Sequence, residues 1–193
     1  MVQADWSKLD WPEKKEFRAA VTAWHATLED NRGVRAELRR AKSVNDALFT
    51  EAYQSNFLPV LRNHDCELAM EGVSENKRTR VFQNLAMAAA LISHVKTVDP
   101  ARSFAQLMGT REGDSENSAL VHPARFRRLM AVEPDEKDEL LRMLIRLIRM
   151  TGGAANLRCL LDASFCWNDS LRAQWALAYY GHASAKSAKQ EKE

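Results

Sequence analysis

The sequence predicts an all-α protein, a single helical-bundle domain of eight or nine helices, and three observations predict it. Only 7 Gly and 5 Pro occur in 193 residues, while Ala, Leu, Arg and Glu are plentiful, a balance that favours helices over a strand-and-turn sandwich. Apolar residues recur at 3.6-residue spacing in one segment after another, and no stretch alternates in the manner of a strand. Cap and stop residues separate these segments. The composition, 46% hydrophobic and 28% charged, is that of a globular chain and excludes collagen and global disorder. A chain of this length buries roughly 70% of its unfolded surface and needs no disulfide or metal to hold it together.

The elements follow in order. Asp10-Trp11-Pro12-Glu13 reads as a helix start, and Phe17, Ala20, Val21, Trp24 and Leu28 form one apolar stripe after it. Asn31-Arg32-Gly33 closes or bends that helix. Next, Val34, Leu38 and Ala41 fall on one side, and Arg32, Arg35, Arg39 and Lys42 on the other. Ser43, with Asp46 three residues on, caps a helix expected to end near Pro59 or Leu61. Residues 62–76 are ambiguous. Ser74 or Asn76 opens a long helix to about Lys96, and its run Ala86-Met87-Ala88-Ala89-Ala90 marks it as central, because alanines let helices approach closely. Val98-Asp99-Pro100 is a break, Ser103 to Met108 a short helix stopped by Gly109, and Thr110 to Ser118 a polar loop. Pro123 opens a helix through Met130, and Pro134 opens another that Gly152-Gly153 stops. Asn156 to Phe165 and Asp169 to Tyr180 complete the bundle, residues 1–183, and 184–193 form a polar, disordered tail.

One helix is informative about function. Over residues 134–151, Leu141, Leu144, Ile145, Leu147 and Ile148, with Met143 and Met150, occupy most of the circumference. Arg142, Arg146 and Arg149 share one narrow stripe, and neither Arg146 nor Arg149 has an acid four residues away to neutralise it. A charged stripe is most often only a solvated face, and arginines suit the C-terminal end of a helix dipole. That dipole, however, calls for one cation in the last turn rather than three. Similar clusters recur at Arg32, Arg35, Arg39, Arg40 and Lys42 around the single acid Glu37, at Lys77, Arg78 and Arg80, and at Arg125, Arg127 and Arg128. The acids lie elsewhere, so the formal net charge of +2 hides segregated charge. Segregated arginine suits phosphate, which needs fixed charge and planar donors.

Other chemistry finds little support. His25, His64, His94, His122 and His182 form no recognised metal spacing, so neither metal nor cofactor is expected. His64-Asp65-Cys66 are adjacent and cannot face one another on a helix. Cys66, Cys159 and Cys166 form no CxxC pair, and the last two read as core. Trp24, Trp167 and Trp175 also read as core, while Trp6 and Trp11 flank the terminus. No apolar run reaches the roughly 18 residues of a membrane span and no signal-peptide core is present, so a cytoplasmic protein is expected.

An ordered set of short motifs carries a family resemblance. It comprises Ala23-Trp24, then Arg35-Ala36-Glu37-Leu38-Arg39-Arg40-Ala41, then Ser103-Phe104-Ala105-Gln106-Leu107-Met108. Ala124-Arg125-Phe126-Arg127-Arg128-Leu129-Met130 and Leu141-Arg142-Met143-Leu144-Ile145-Arg146-Leu147 follow. Leu160-Leu161-Asp162, Trp167, Arg172-Ala173-Gln174-Trp175-Ala176 and Tyr179-Tyr180 close the set. From about residue 20 to 182 the chain resembles the CasB family, the small subunit of the type I-E CRISPR surveillance complex Cascade. It departs from the family at Asn156-Leu157, where members often carry an acidic-aromatic pair, and in its first 15 residues and its tail.

The resemblance implies a non-catalytic subunit that contacts the backbone and large subunits of Cascade, a second copy of itself, crRNA and target DNA. There it would stabilise the target and displaced strands of the R-loop. The nucleic-acid contacts it implies are Arg39, Arg40, Lys77, Arg78, Arg125, Arg142 and Arg146. Arg149 joins them from the stripe argument. Base pairing supplies sequence information in such assemblies while protein reads backbone. The alternative is a free-standing all-α nucleic-acid-binding regulator, although no helix here exposes Asn, Gln or Ser beside arginine as a recognition helix would. A helical-bundle enzyme would need inward carboxylates with Glu-x-x-His spacing, and none is present.

Overall fold

The computed structural model describes residues 15–62, 74–110 and 119–190, without the side chains of 61–62 and 182–190. Among the described residues are ten α-helices, a π-helical segment and two strands of two residues each. The chain divides into two compact units, Met1–Ser93 and His94–Glu193. The all-α class predicted from the sequence is what the chain adopts.

The first unit holds α1 (Lys15–Thr27), α2 (Arg32–Arg40), α3 (Val44–Leu48), the π segment (Ala52–Phe57), α4 (Leu58–Arg62) and α5 (Glu75–His94) as far as Ser93. The predicted stripe of α1 is the buried one: Phe17, Ala20, Val21, Trp24 and, just beyond the helix, Leu28. The Trp24 ring meets Phe57 edge-on at 4.5 Å. Its Nε1 donates to Asn56 Oδ1 at 2.9 Å, so the indole is buried with its polar atom satisfied. The alanine run of α5 is fully buried, as its small side chains led us to expect.

The single helix expected from Ser43 to near Pro59 is three pieces, and each break has a cause. Ser43 does cap α3, its hydroxyl accepting from Asp46 N at 3.0 Å. The helix stops at Phe49 because Glu37 of α2 starts a new one: its carboxylate accepts from Glu51 N at 2.9 Å and Ala52 N at 3.1 Å. Pro59 accounts for the π segment. It has no N–H, and in an α-helix its ring would collide with the Ser55 carbonyl four residues back. Widening the preceding turn, so that Leu58 N donates to Tyr53 O, relieves both problems.

The second unit holds β1 (Thr97–Val98), α6 (Phe104–Met108), α7 (Pro123–Met130), α8 (Lys137–Met150), β2 (Ala154–Ala155), α9 (Leu157–Cys166) and α10 (Asp169–Gln190). Ser103 and Gln106 form a full capping box on α6. His122 Nδ1 accepts from Ala124 N at 3.2 Å ahead of Pro123, and Asn156 caps α9. Gly152-Gly153 ends α8 in a Schellman arrangement: Gly153 N donates to Ile148 O at 2.8 Å and Gly152 N to Arg149 O at 3.1 Å. Both glycines have positive φ, 68° and 90°.

The turn feeds β2, which pairs in parallel with β1 at Thr97–Ala154 and Val98–Ala155. Two residues a side are too few to leave an alternating pattern, which is why the sequence showed no strand. Trp167, Trp175, Phe104, Phe126 and Tyr179 form the aromatic core. Cys159 is half-buried, but Cys166, expected in the core, is exposed at the end of α9. The backbone of α10 continues to Gln190, beyond the Ser184 at which the polar tail was placed.

Candidate nucleic-acid interface

The arginines sort by what their side chains do inside the protein. On α2, the stripe opposite Leu38 does not face solvent as a whole. Arg35 Nε and Arg39 Nε both donate to the Ser93 carbonyl, at 3.0 and 2.8 Å. That carbonyl lies in the last turn of α5, where carbonyls lack helical partners and the dipole favours cations. Arg39 therefore fastens α2 to α5, whatever else it touches. Its neighbour Arg40 is exposed.

Lys77 and Arg78 stand exposed in the first turns of α5, with Arg80. Fifteen residues at 1.5 Å each put Arg78 about 22 Å along the helix from Ser93. The four candidates of the first unit thus form two separate basic patches, one at each end of α5.

In the second unit the structure brings candidates together. Arg125 on α7 reaches α8, its Nη1 lying 3.3 Å from Met150 Sδ. Met150 follows Arg149 directly and stands about 40° around the helix from Arg146. Arg125, Arg146 and Arg149 therefore share one α7–α8 surface, and all three are exposed. Among the described residues, none of the three forms an ion pair. Arg142, one turn further back, is held by Glu139 at 2.8 Å. Both partners are about half exposed, so the pair is loosely held and readily exchanged for another anion. The buried faces beneath are Phe126 and Leu129 on α7, and Leu141, Leu144, Ile145 and Ile148 on α8.

Sequence reasoning missed two charged residues with structural work. Glu37 was read only as the one acid in a basic cluster, yet it caps the chain at Glu51 and Ala52. Arg172 spans two helices, donating to Met130 O at 3.1 Å, the last carbonyl of α7, and pairing with Asp169. The Asp169 partner three residues away was visible in the sequence; the carbonyl partners were not.

Titratable groups here serve structure. The Arg102 and Ala101 amides donate to Asp99 and, with the Arg102 guanidinium, hold its carboxyl below the usual range. The Lys42 amide and the Ser43 hydroxyl do the same for Asp46. Burial pushes the Cys159 thiol and the Tyr53 hydroxyl up, away from reactive forms, and Tyr53 donates to Phe82 O at 3.0 Å. Among the described residues, no three His, Cys, Asp or Glu side chains cluster as metal ligands would. No described helix is long and apolar enough to cross a membrane.

Fold and surface together define an all-helical protein whose charged side chains either tie helices together or stand in exposed basic patches. A family model described as CRISPR-associated protein Cse2 matches residues 34–180. The chain belongs to this Cse2 (CasB) family, as its sequence resemblance implied, and membership supports a role as a Cascade subunit. Among solved structures, CasB from Thermus thermophilus is similar at 18% identity and a TM-score of 0.47, covering 90% of this chain and 95% of that one. Comparison with curated proteins gave no match.

Proposed function

We propose that this protein is a non-catalytic, cytoplasmic subunit of Cascade that holds unpaired strands of the R-loop through exposed arginines. Its protein partners are the backbone and large subunits and a second copy of itself, and its nucleic-acid partners are crRNA and target DNA. The α7–α8 surface carries the reading: Arg125, Arg146 and Arg149 converge there without acidic partners among the described residues. Such a surface tracks phosphates without reading bases. Local exchange of duplex for heteroduplex is nearly balanced, so a few phosphate contacts tip it. Arg142 joins the surface once Glu139 is displaced. Arg40, and Lys77 with Arg78, supply further phosphate contacts, and Arg39 contributes charge beside its structural bond.

Two measurements test this. A tagged chain expressed in its own host is purified with its associated proteins, and a stoichiometric set of subunits with RNA of one length is expected. The reconstituted assembly carrying Arg142→Glu and Arg146→Glu is then assayed for retention of the displaced strand across salt concentrations. Weaker retention and a shallower salt dependence are expected, with α-helical content unchanged. Normal folding with unchanged retention would remove the stripe from the interface.

A further inference from the structure

Among the described residues, an exposed apolar surface on α10 adjoins α7. Leu177 is 76% exposed and Tyr180, three residues on and so on the same face, is 44% exposed. From Ala173 to Gly181 the helix carries no charged residue. Tyr179, the neighbouring tyrosine, does the structural work: it is buried, it stacks on Phe126 at 4.0 Å and 6°, and it donates to Val121 O. Tyr180 meets the same Phe126 edge-on at 6.0 Å and Tyr179 edge-on at 4.9 Å, yet much of its ring stays open to solvent.

Phe126 lies between Arg125 and Arg127 in sequence. Arg125, Arg127 and Arg128 are all exposed, and α7 contains no acid. The Tyr180 ring thus stands within about one helix diameter, ~10 Å, of a helix whose exposed charges are all positive. An uncharged aromatic strip beside fixed cations matches an unpaired nucleic-acid strand: bases stack on the ring while phosphates lie against the guanidinium groups. It matches duplex poorly, because the base faces of a duplex are already stacked.

Resting on the strand-holding role proposed above, we infer that Tyr180 and Leu177 form the base-stacking side of that surface. The protein would then select unpaired strand over duplex, with Arg127 added to the phosphate contacts.

The assembled complex tests this with a displaced strand carrying 5-bromouracil, irradiated and mapped by mass spectrometry. A crosslink on Tyr180 in the unmodified protein is expected. Tyr180→Ala should then lower strand retention about fivefold or more, and Tyr180→Trp should restore it. Replacing the bases by abasic sites should weaken retention by the parent and leave Tyr180→Ala unaffected. Leu177→Ser, at a more exposed position, should give a smaller loss with the same dependence on bases.

Crosslinks confined to α7 and α8, or a Tyr180→Ala loss that persists on abasic strand, would overturn the stacking role. Loss of the Tyr180→Ala subunit from the assembly before nucleic acid is added would make the strip a protein contact instead. Failure of the strand-holding role itself would be separate: retention would be unchanged by Arg142→Glu and Arg146→Glu.

Discussion

Tyr179→Phe removes one oxygen from the point where α7 and α10 meet. The hydroxyl donates to the Val121 carbonyl at 2.5 Å, and both residues are almost completely buried. The phenyl ring of the variant keeps its stack on Phe126, so buried apolar area hardly changes. What is lost is the hydroxyl's bond, leaving a buried acceptor without that donor, at a cost of about 1–3 kcal/mol. In a chain of this size each kcal/mol is about 2–4 °C in Tm, so a drop of about 3–6 °C is expected for a loss near 1.5 kcal/mol. Urea unfolding should show a lower midpoint at unchanged m-value. Tyr179→Leu, which also removes the stack, should cost about 0.5–1.5 kcal/mol more. A Tyr179→Phe loss below about 0.5 kcal/mol would refute the claim that this hydrogen bond closes the helix junction. Equal losses for Phe and Leu would refute the stacking contribution.

Three further outcomes follow from the same geometry. A Cβ on Gly109 would lie 2.5 Å from the Tyr179 carbonyl oxygen, which is backbone and cannot swing aside; Gly109→Ala should lower stability by about 1–3 kcal/mol in thermal unfolding. Arg39→Ala should cost about 1 kcal/mol of stability by removing a donor to Ser93 O, whereas Arg40→Ala should stay within about 0.5 kcal/mol and weaken strand retention in the assembly. The Asp99 carboxyl titrates below its ordinary 3.8 when folded, so its contribution is complete above that pH and is lost as pH falls through the lowered value. The stability gap between parent and Asp99→Asn should therefore narrow in acid, and a pH-independent gap in denaturant titrations would contradict the assignment.

Much of the fold was legible because caps and stops are local. Ser43, Ser103, Pro123 and Asn156 each act on the next few residues and Gly152 on the turn before it, and each works as its sequence context indicated. What escaped was set by partners distant in sequence. Glu37 ends α3 by capping a segment fourteen residues on, and the β1–β2 pair joins residues far apart with too few positions to show a period. The candidate site divides the same way. The stripe of Arg142, Arg146 and Arg149 follows from helical spacing alone. Its union with Arg125 required the packing of α7 on α8, and the bonds of Arg35 and Arg39 to Ser93 required that of α2 on α5.

Helix electrostatics then separates the basic residues further. Arg35, Arg39 and Arg172 lie at C-terminal carbonyls of other helices, where a cation is favoured; their positions are explained by stability alone. Arg149, in the last turn of α8, is also where a dipole would put it. Lys77, Arg78 and Arg125 are the reverse case. They occupy the first turns of α5 and α7, where a cation costs about 0.3–1 kcal/mol, and the first turn of α7 contains no acid to offset it. Glu75 in the same turn of α5 offsets part of this cost for Lys77 and Arg78, whereas Arg125 has no such acid in its turn, so an anion from outside would relieve Arg125 most. Of the basic residues in the proposed interface, Arg125 thus has the strongest claim to phosphate; Lys77, Arg78 and Arg146 follow, the last exposed in mid-helix with no acidic partner among the described residues.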